Sequence, residues 1–167
     1  MFSIFKYFQK SSISPNNKKF LIVGLGNIGE EYTNTRHNIG FDIVDQLGRT
    51  LKGTFNAAKY GDILKSKYAG KQIILLKPNT FMNLSGKAVL YWLKKEKIHT
   101  NNLIVIVDDL NINFGVSRLK PSGSDGGHNG LKDITNSLNT SNYTRLRFGI
   151  GNNFKNKDQV DFVLSKW

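Results

Sequence analysis

Apolar and polar positions alternate along the chain in two periods. KKFLIVGLG (18–26) is a nearly continuous apolar run ending in glycine, the pattern of a buried strand. From Asn38 the period changes: Ile39, Ile43, Leu47 and Leu51 recur every fourth residue, which predicts an amphipathic helix. Two strands are predicted over 60–68 and 72–77, around Ala69-Gly70. A second helix is predicted after Asn83, with Val89, Trp92 and Leu93 apolar. Lys94, Lys95 and Lys97 near its end suit the negative pole of a helix dipole. LIVIVDD (103–109) reads as a central strand buried on both faces and closed by two acids. A short strand over 115–120, a helix over 129–138, a strand over 144–151 and a last helix over 157–166 complete the pattern. Strands alternating with helices predict an α/β fold, one twisted sheet sandwiched between helices. No internal repeat is present.

A length of 167 residues predicts a single domain able to bury its own core. Residues 1–17 stand apart, being acid-free and Ser/Asn-rich around Pro15. They read as a flexible basic extension, with a targeting peptide as the other reading. The domain proper is expected over 18–167. Cysteine is absent, which excludes disulfides and thiolate metal sites and suits a reducing, cytoplasmic setting. No apolar run approaches the roughly 20 residues that span a bilayer.

The formal charge is +12, from 24 Lys+Arg against 12 Asp+Glu. Only four of those lysines lie in the first 19 residues, so the domain itself is basic. Such a surplus suits a polyanionic partner, although a lysine-rich proteome would give the same count.

Two motifs invite nucleotide readings and fail on context. Gly24-Leu-Gly26-Asn-Ile-Gly29 has dinucleotide-loop spacing, but in that fold the helix starts inside the glycine loop. Here the helical period starts only near Asn38, so the glycines serve a tight backbone turn. LIVIVDD resembles the acidic strand of a phosphate-loop NTPase, but no segment supplies the glycine loop. Around Ser85-Gly86-Lys87, Phe81 stands where the first glycine belongs and Ala88 where the hydroxyl belongs.

Histidine is scarce. His99 lies in a polar turn and reads as surface. His37 and His128 each precede a helix within polar, glycine-flanked connections, where functional groups concentrate. Asp108, at the carboxyl end of the central strand, is placed to orient one of them. A His–Asp pair with no serine or cysteine elbow suggests an activated water. Together, His37, His128 and Asp108 could also supply three zinc ligands. Asn27, Asn83 and Asn129 recur at similar junctions and could hold a peptide backbone or an oxyanion, or only cap and turn. In Arg118-Leu-Lys120 and Arg145-Leu-Arg147, cations at period two share a strand face, either as a phosphate clamp or as a solvated surface.

Five segments, taken in order, resemble the bacterial-type peptidyl-tRNA hydrolase family: LIVGLGNIGEEYTNTRHNIGF (21–41), LLKPNTFMNLSGKAV (75–89), VIVDDLNINFGVSRLK (105–120), SDGGHNGLKDI (124–134) and YTRLRFGIGN (143–152). The resemblance implies a single α/β domain with a mixed sheet that acts as a monomer without metal, nucleotide or other cofactor. Its substrate would be a peptide esterified to tRNA, dropped by the ribosome. It implies His37 as general base and Asp108 as its orienting acid. Asn27 and Asn83 would serve catalysis. Tyr32, Met82, Asn129 and His128 would line the substrate site, and Arg118, Lys120 and Arg147 would bind tRNA phosphate. The sequence departs from the family in three places, the first being the tail before Lys18, which has no counterpart in the shortest relatives. Many relatives carry H-D-E-L-D where this chain has Val107 to Asn111, so an amide replaces the last acid. Relatives also usually continue into a C-terminal helix that this sequence lacks.

Overall fold

The computed structural model describes residues 18–153 and 158–167. The extension expected over 1–17 lies outside them. The strands are β1 (Lys19–Gly24), β2 (Asn56–Ala58), β3 (Gly61–Tyr68), β4 (Lys71–Pro78), β5 (Leu103–Asp109), β6 (Ser117–Lys120) and β7 (Thr144–Gly149). The helices are α1 (Ile39–Thr50), α2 (Ser85–Glu96), α3 (Asn129–Leu138) and α4 (Gln159–Leu164). Each predicted element is present. The last helix is shorter than its pattern, and its predicted start at 157 falls outside the described residues. Strand β2 was not anticipated, because three residues carry too little period to read.

One seven-stranded sheet has the order β2-β3-β4-β1-β5-β7-β6. Strands β4, β1, β5 and β7 run parallel, while β2, β3 and β6 add antiparallel edges. This is the mixed sheet expected. The β3–β4 hairpin turns at Ala69 (φ 47°) and Gly70 (φ 73°). Two successive positive φ values make the turn whose twist matches the flanking strands.

The central strands are apolar on both faces because both are covered. Leu21, Val23, Val105 and Val107 pack against α2 and α3 through Trp92, Val89, Leu131 and Ile134. Phe20, Ile22, Ile104 and Ile106 pack against α1 through Val44 and Leu47. Each such side chain contributes roughly 1.5–3 kcal/mol by leaving water. Continuing the alternation along β5, Asp108 points to the α1 face and Asp109 to the α3 face.

Helix α1 buries a stripe that the sequence shows only in part. Gly40, Val44, Leu47 and Gly48 face the sheet, whereas Ile43 and Leu51 lie at its shoulder. A Cβ on Gly24 would overlap the Gly40 carbonyl, so two bare glycines let α1 dock directly on the end of β1. The glycines after β1 thus serve close packing, and α1 begins ten residues downstream of Gly29. That placement agrees with the rejection of a dinucleotide loop.

The chain moves from β1 to β4 on one side and then to β5 on the other. The point where the order reverses opens a crevice at the carboxyl ends of β1, β4 and β5. No helix among the described residues is long and apolar enough to cross a membrane.

Candidate active site

A cleft of about 640 Å³ opens at this reversal point. Asn27 reaches it from the loop after β1, Met82 and Asn83 from the turn after β4, and Asp108 from the tip of β5. His37 enters from the turn before α1, and His128 and Asn129 from the start of α3. Helix α4 forms the remaining wall through Val160, Val163 and Leu164. The volume lies in the range of clefts that take small ligands.

His37 and Asp108 are 71 residues apart in sequence and adjacent in space. Nδ1 of His37 lies 2.8 Å from Oδ1 of Asp108. The same oxygen lies 3.0 Å from Nε2 of His128. The two rings sit 5.0 Å apart, centre to centre. Burial alone would push the Asp108 carboxyl up. The two imidazoles outweigh burial and hold it well below the usual carboxylate range, His128 more strongly than His37.

An ionised carboxylate only accepts, so the ring nitrogens facing Asp108 carry protons. For His37 this puts the proton on Nδ1 and leaves Nε2 with its lone pair, the form of a general base. For His128 the other nitrogen, Nδ1, accepts from the Leu131 backbone N–H at 3.4 Å, a long bond that caps α3. His128 is therefore a second donor to Asp108 and a helix cap, rather than a bystander in its loop.

Ligand atoms of His37, Asp108 and His128 lie within 4.8 Å of one another, so the trio could gather on one ion. Both imidazole nitrogens that face Asp108 already donate to it. A metal there would have to displace two protons and two hydrogen bonds.

Asn27 is oriented by its neighbours. Its Oδ1 accepts from the Met82 backbone N–H at 2.8 Å. Because that N–H can only donate, the amide must face it with oxygen, which leaves Nδ2 to donate elsewhere. Asn38 grips the Asn27 backbone at both ends. The Asn38 Oδ1 accepts from Asn27 N at 2.8 Å, and its Nδ2 donates to Asn27 O at 2.9 Å. Asn38 is buried, and the sequence suggested only a helix start there. Met82 is buried, while Asn83 and Asn129 are exposed at the cleft. Asp133, also unforeseen, accepts from Gly86 N at 2.6 Å and ties α3 to the start of α2.

The cations separate into different environments. Arg147 lines the cleft, whereas Arg118 and Lys120 are exposed on edge strand β6 outside it. Across the β6–β7 pair, Arg118 is opposite Arg147 and Lys120 is opposite Arg145, so the four share a face. Arg145 does not belong to a clamp. It is buried, stacks over the Tyr143 ring at 4.2 Å and donates to Ser141 O at 3.1 Å. Tyr32 ends a short turn outside the cleft lining, where its carbonyl accepts from Thr35.

Comparisons with known proteins place the chain among relatives of one kind. Residues 21–167 match the family model described as peptidyl-tRNA hydrolase. The peptidyl-tRNA hydrolase of Parabacteroides distasonis is 56% identical over 149 residues, covering 89% of this chain and 80% of that protein. Its counterpart in Bacteroides fragilis is 58% identical over 146 residues, covering 87% and 78%. The crystal structure of peptidyl-tRNA hydrolase from Acinetobacter baumannii superposes with a TM-score of 0.85 at 39% identity, over 93% of this chain and 80% of that one.

Proposed function

The chain belongs to the peptidyl-tRNA hydrolase family, and on that premise we propose that it releases the peptide by general-base attack of water, with His37 as the base. The family and its relatives make the chain a hydrolase of peptidyl-tRNA. The roles of individual residues are our reading.

One observation carries it: the 2.8 Å contact between His37 and Asp108 on the wall of the cleft. Nε2 of His37 takes a proton from water, and Asp108 stabilises the imidazolium that forms. The hydroxide attacks the ester carbonyl carbon and the carbonyl becomes an oxyanion. Nδ2 of Asn27 is the donor supplied to that charge, with Asn83 close by. As the intermediate collapses, the C–O bond to the ribose breaks. The imidazolium returns its proton to the leaving hydroxyl, so the base is regenerated. His128 keeps Asp108 ionised and aligned. Met82 and Asn129 face the peptide. Arg147 engages a tRNA phosphate, with Arg118 and Lys120 extending positive charge along the sheet edge.

A metal-assisted route would use the same trio, and chelation separates the two. Peptide release from a peptidyl-tRNA is measured before and after EDTA treatment, and again with zinc added back. General-base chemistry predicts an unchanged rate after EDTA. Loss of activity with EDTA, restored by zinc, would transfer the mechanism to a bound ion.

A further inference from the structure

Strand β5 ends in two carboxylates, and the proposed mechanism uses only the first. Asp109 is buried on the opposite face. Its Oδ2 accepts from Arg147 Nη1 at 3.1 Å, and its Oδ1 accepts from the Asn111 backbone N–H at 2.8 Å. Arg147 uses a second donor, Nη2, on the Ser124 carbonyl at 2.7 Å. Gly126, with φ +65°, lies so close to this guanidinium that a Cβ there would come within 3.1 Å of Nη1. The loop over 124–127 therefore rests on Arg147, and it leads directly to His128, which donates to Asp108. Three contacts and two stretches of chain close a ring: Arg147 joins Asp109 to Ser124, residues 124–127 run on to His128, and His128 returns to Asp108, the neighbour of Asp109.

We propose that Asp109 is a positioning residue that aims Arg147 at the phosphate of the tRNA substrate. The inference rests on the phosphate-binding reading of Arg147. Arginine presents five donors in a rigid planar fork, and two are held by Asp109 and Ser124. The plane is thereby fixed before substrate arrives; Nε is buried without a partner, and the second hydrogens of Nη1 and Nη2 are the donors left for a ligand. A free arginine on the same strand would carry equal charge but would have to order its side chain on binding. Asp109 is thus distinct from a surface ion-pair partner. Only 8% of its side chain and 15% of that of Arg147 are exposed, so solvent screening of the pair is slight.

The test compares two substrates, a peptidyl-tRNA with its 5′ phosphate and the same molecule dephosphorylated. The readout is the ratio of their kcat/KM values. Asp109→Asn keeps the shape but can accept at only one oxygen. Its ratio is expected to fall roughly tenfold, the low end for losing a hydrogen bond to a charged group, while the rate on dephosphorylated substrate stays within about twofold. Asp109→Glu restores the carboxylate and most of the ratio. Arg147→Lys examines the same idea without touching Asp109. It keeps the charge but lacks the fork, so its ratio should also collapse. A ratio that is unchanged in Asp109→Asn, or that rises because Arg147 is released toward the phosphate, overturns the proposal, as does a ratio preserved in Arg147→Lys. Arg147→Ala distinguishes the two levels. If it too leaves the ratio at the wild-type value, the phosphate reading itself fails and takes this inference with it.

Discussion

Single amide and imidazole orientations decide what this cleft can do. Asn27 is the clearest case, because its oxygen is committed to Met82 N–H and its backbone is held at both ends by Asn38. Only the NH₂ group remains for substrate. Replacing Asn27 by Asp keeps the acceptor toward Met82 but exchanges the donor for a second oxygen. A developing oxyanion would then meet a negative charge. We expect kcat to fall by at least about 100-fold, the usual scale for losing an oxyanion donor. Binding of peptidyl-tRNA should change far less. Steady-state kinetics beside a binding titration would show this, and a variant weakened only in KM would move Asn27 from the oxyanion to peptide binding. The sequence shows Asn27 as a candidate, but for any one such asparagine it favours turn chemistry or capping. Nothing local in the sequence separates these, since the deciding partner lies 55 residues away. Asp109 could have been found. A second acid in a fully buried run needs a cation, and Arg147 stood in the next long strand.

At the scale of elements, the periodic segments were legible and their contacts were not. The four helices and most strands follow from hydrophobic spacing. The docking face of α1 escaped because glycines carry half of it. The short helix α4 was seen as a helix but not as a wall of the cleft. Its connection to the site runs through Arg36, the neighbour of His37. The Arg36 Nη1 donates to the Ser165 hydroxyl at 2.6 Å and to the Lys166 carbonyl at 2.7 Å. Its guanidinium also stacks 4.6 Å from the Phe162 ring centre. The Arg36 backbone N–H donates to Ser165 O at 3.1 Å, and Thr35 bridges to Lys166. The last turn of the chain thus straps the segment that carries the base. Arg36→Ala removes hydrogen bonds from a charged group worth about 1.5–3 kcal/mol in such settings. At roughly 2–4 °C per kcal/mol for a domain of this size, the melting temperature should drop by about 3–12 °C. We also expect kcat to fall about tenfold as His37 loses its fixed approach to Asp108, a loss of about 1.4 kcal/mol in the barrier. Thermal unfolding and kinetics on the same sample would test both. A lower melting temperature with unchanged kcat would confine the strap to stability.

Over the whole molecule, topology brings together what the sequence scattered. Residues 27, 37, 82, 108 and 128 converge because β1, β4 and β5 end side by side at the point where the strand order reverses. Because ligands bind there in open α/β sheets, the sequence alone makes Asp108 a candidate. Its shared bonds to two histidines could not be read from spacing. The basic balance of the chain suits a polyanionic substrate, but its cations are not equivalent: Arg147 lines the cleft, Arg118 and Lys120 are exposed beside it, and Arg145 is buried on Tyr143. Activation of water by one imidazole, set by one carboxylate, is tested by single-turnover release of peptide from peptidyl-tRNA by His37→Ala, with tRNA binding measured on the same preparation. The chemical step should slow by about 100- to 10,000-fold with binding nearly intact. A His37→Ala protein that releases peptide at close to the wild-type rate would contradict it.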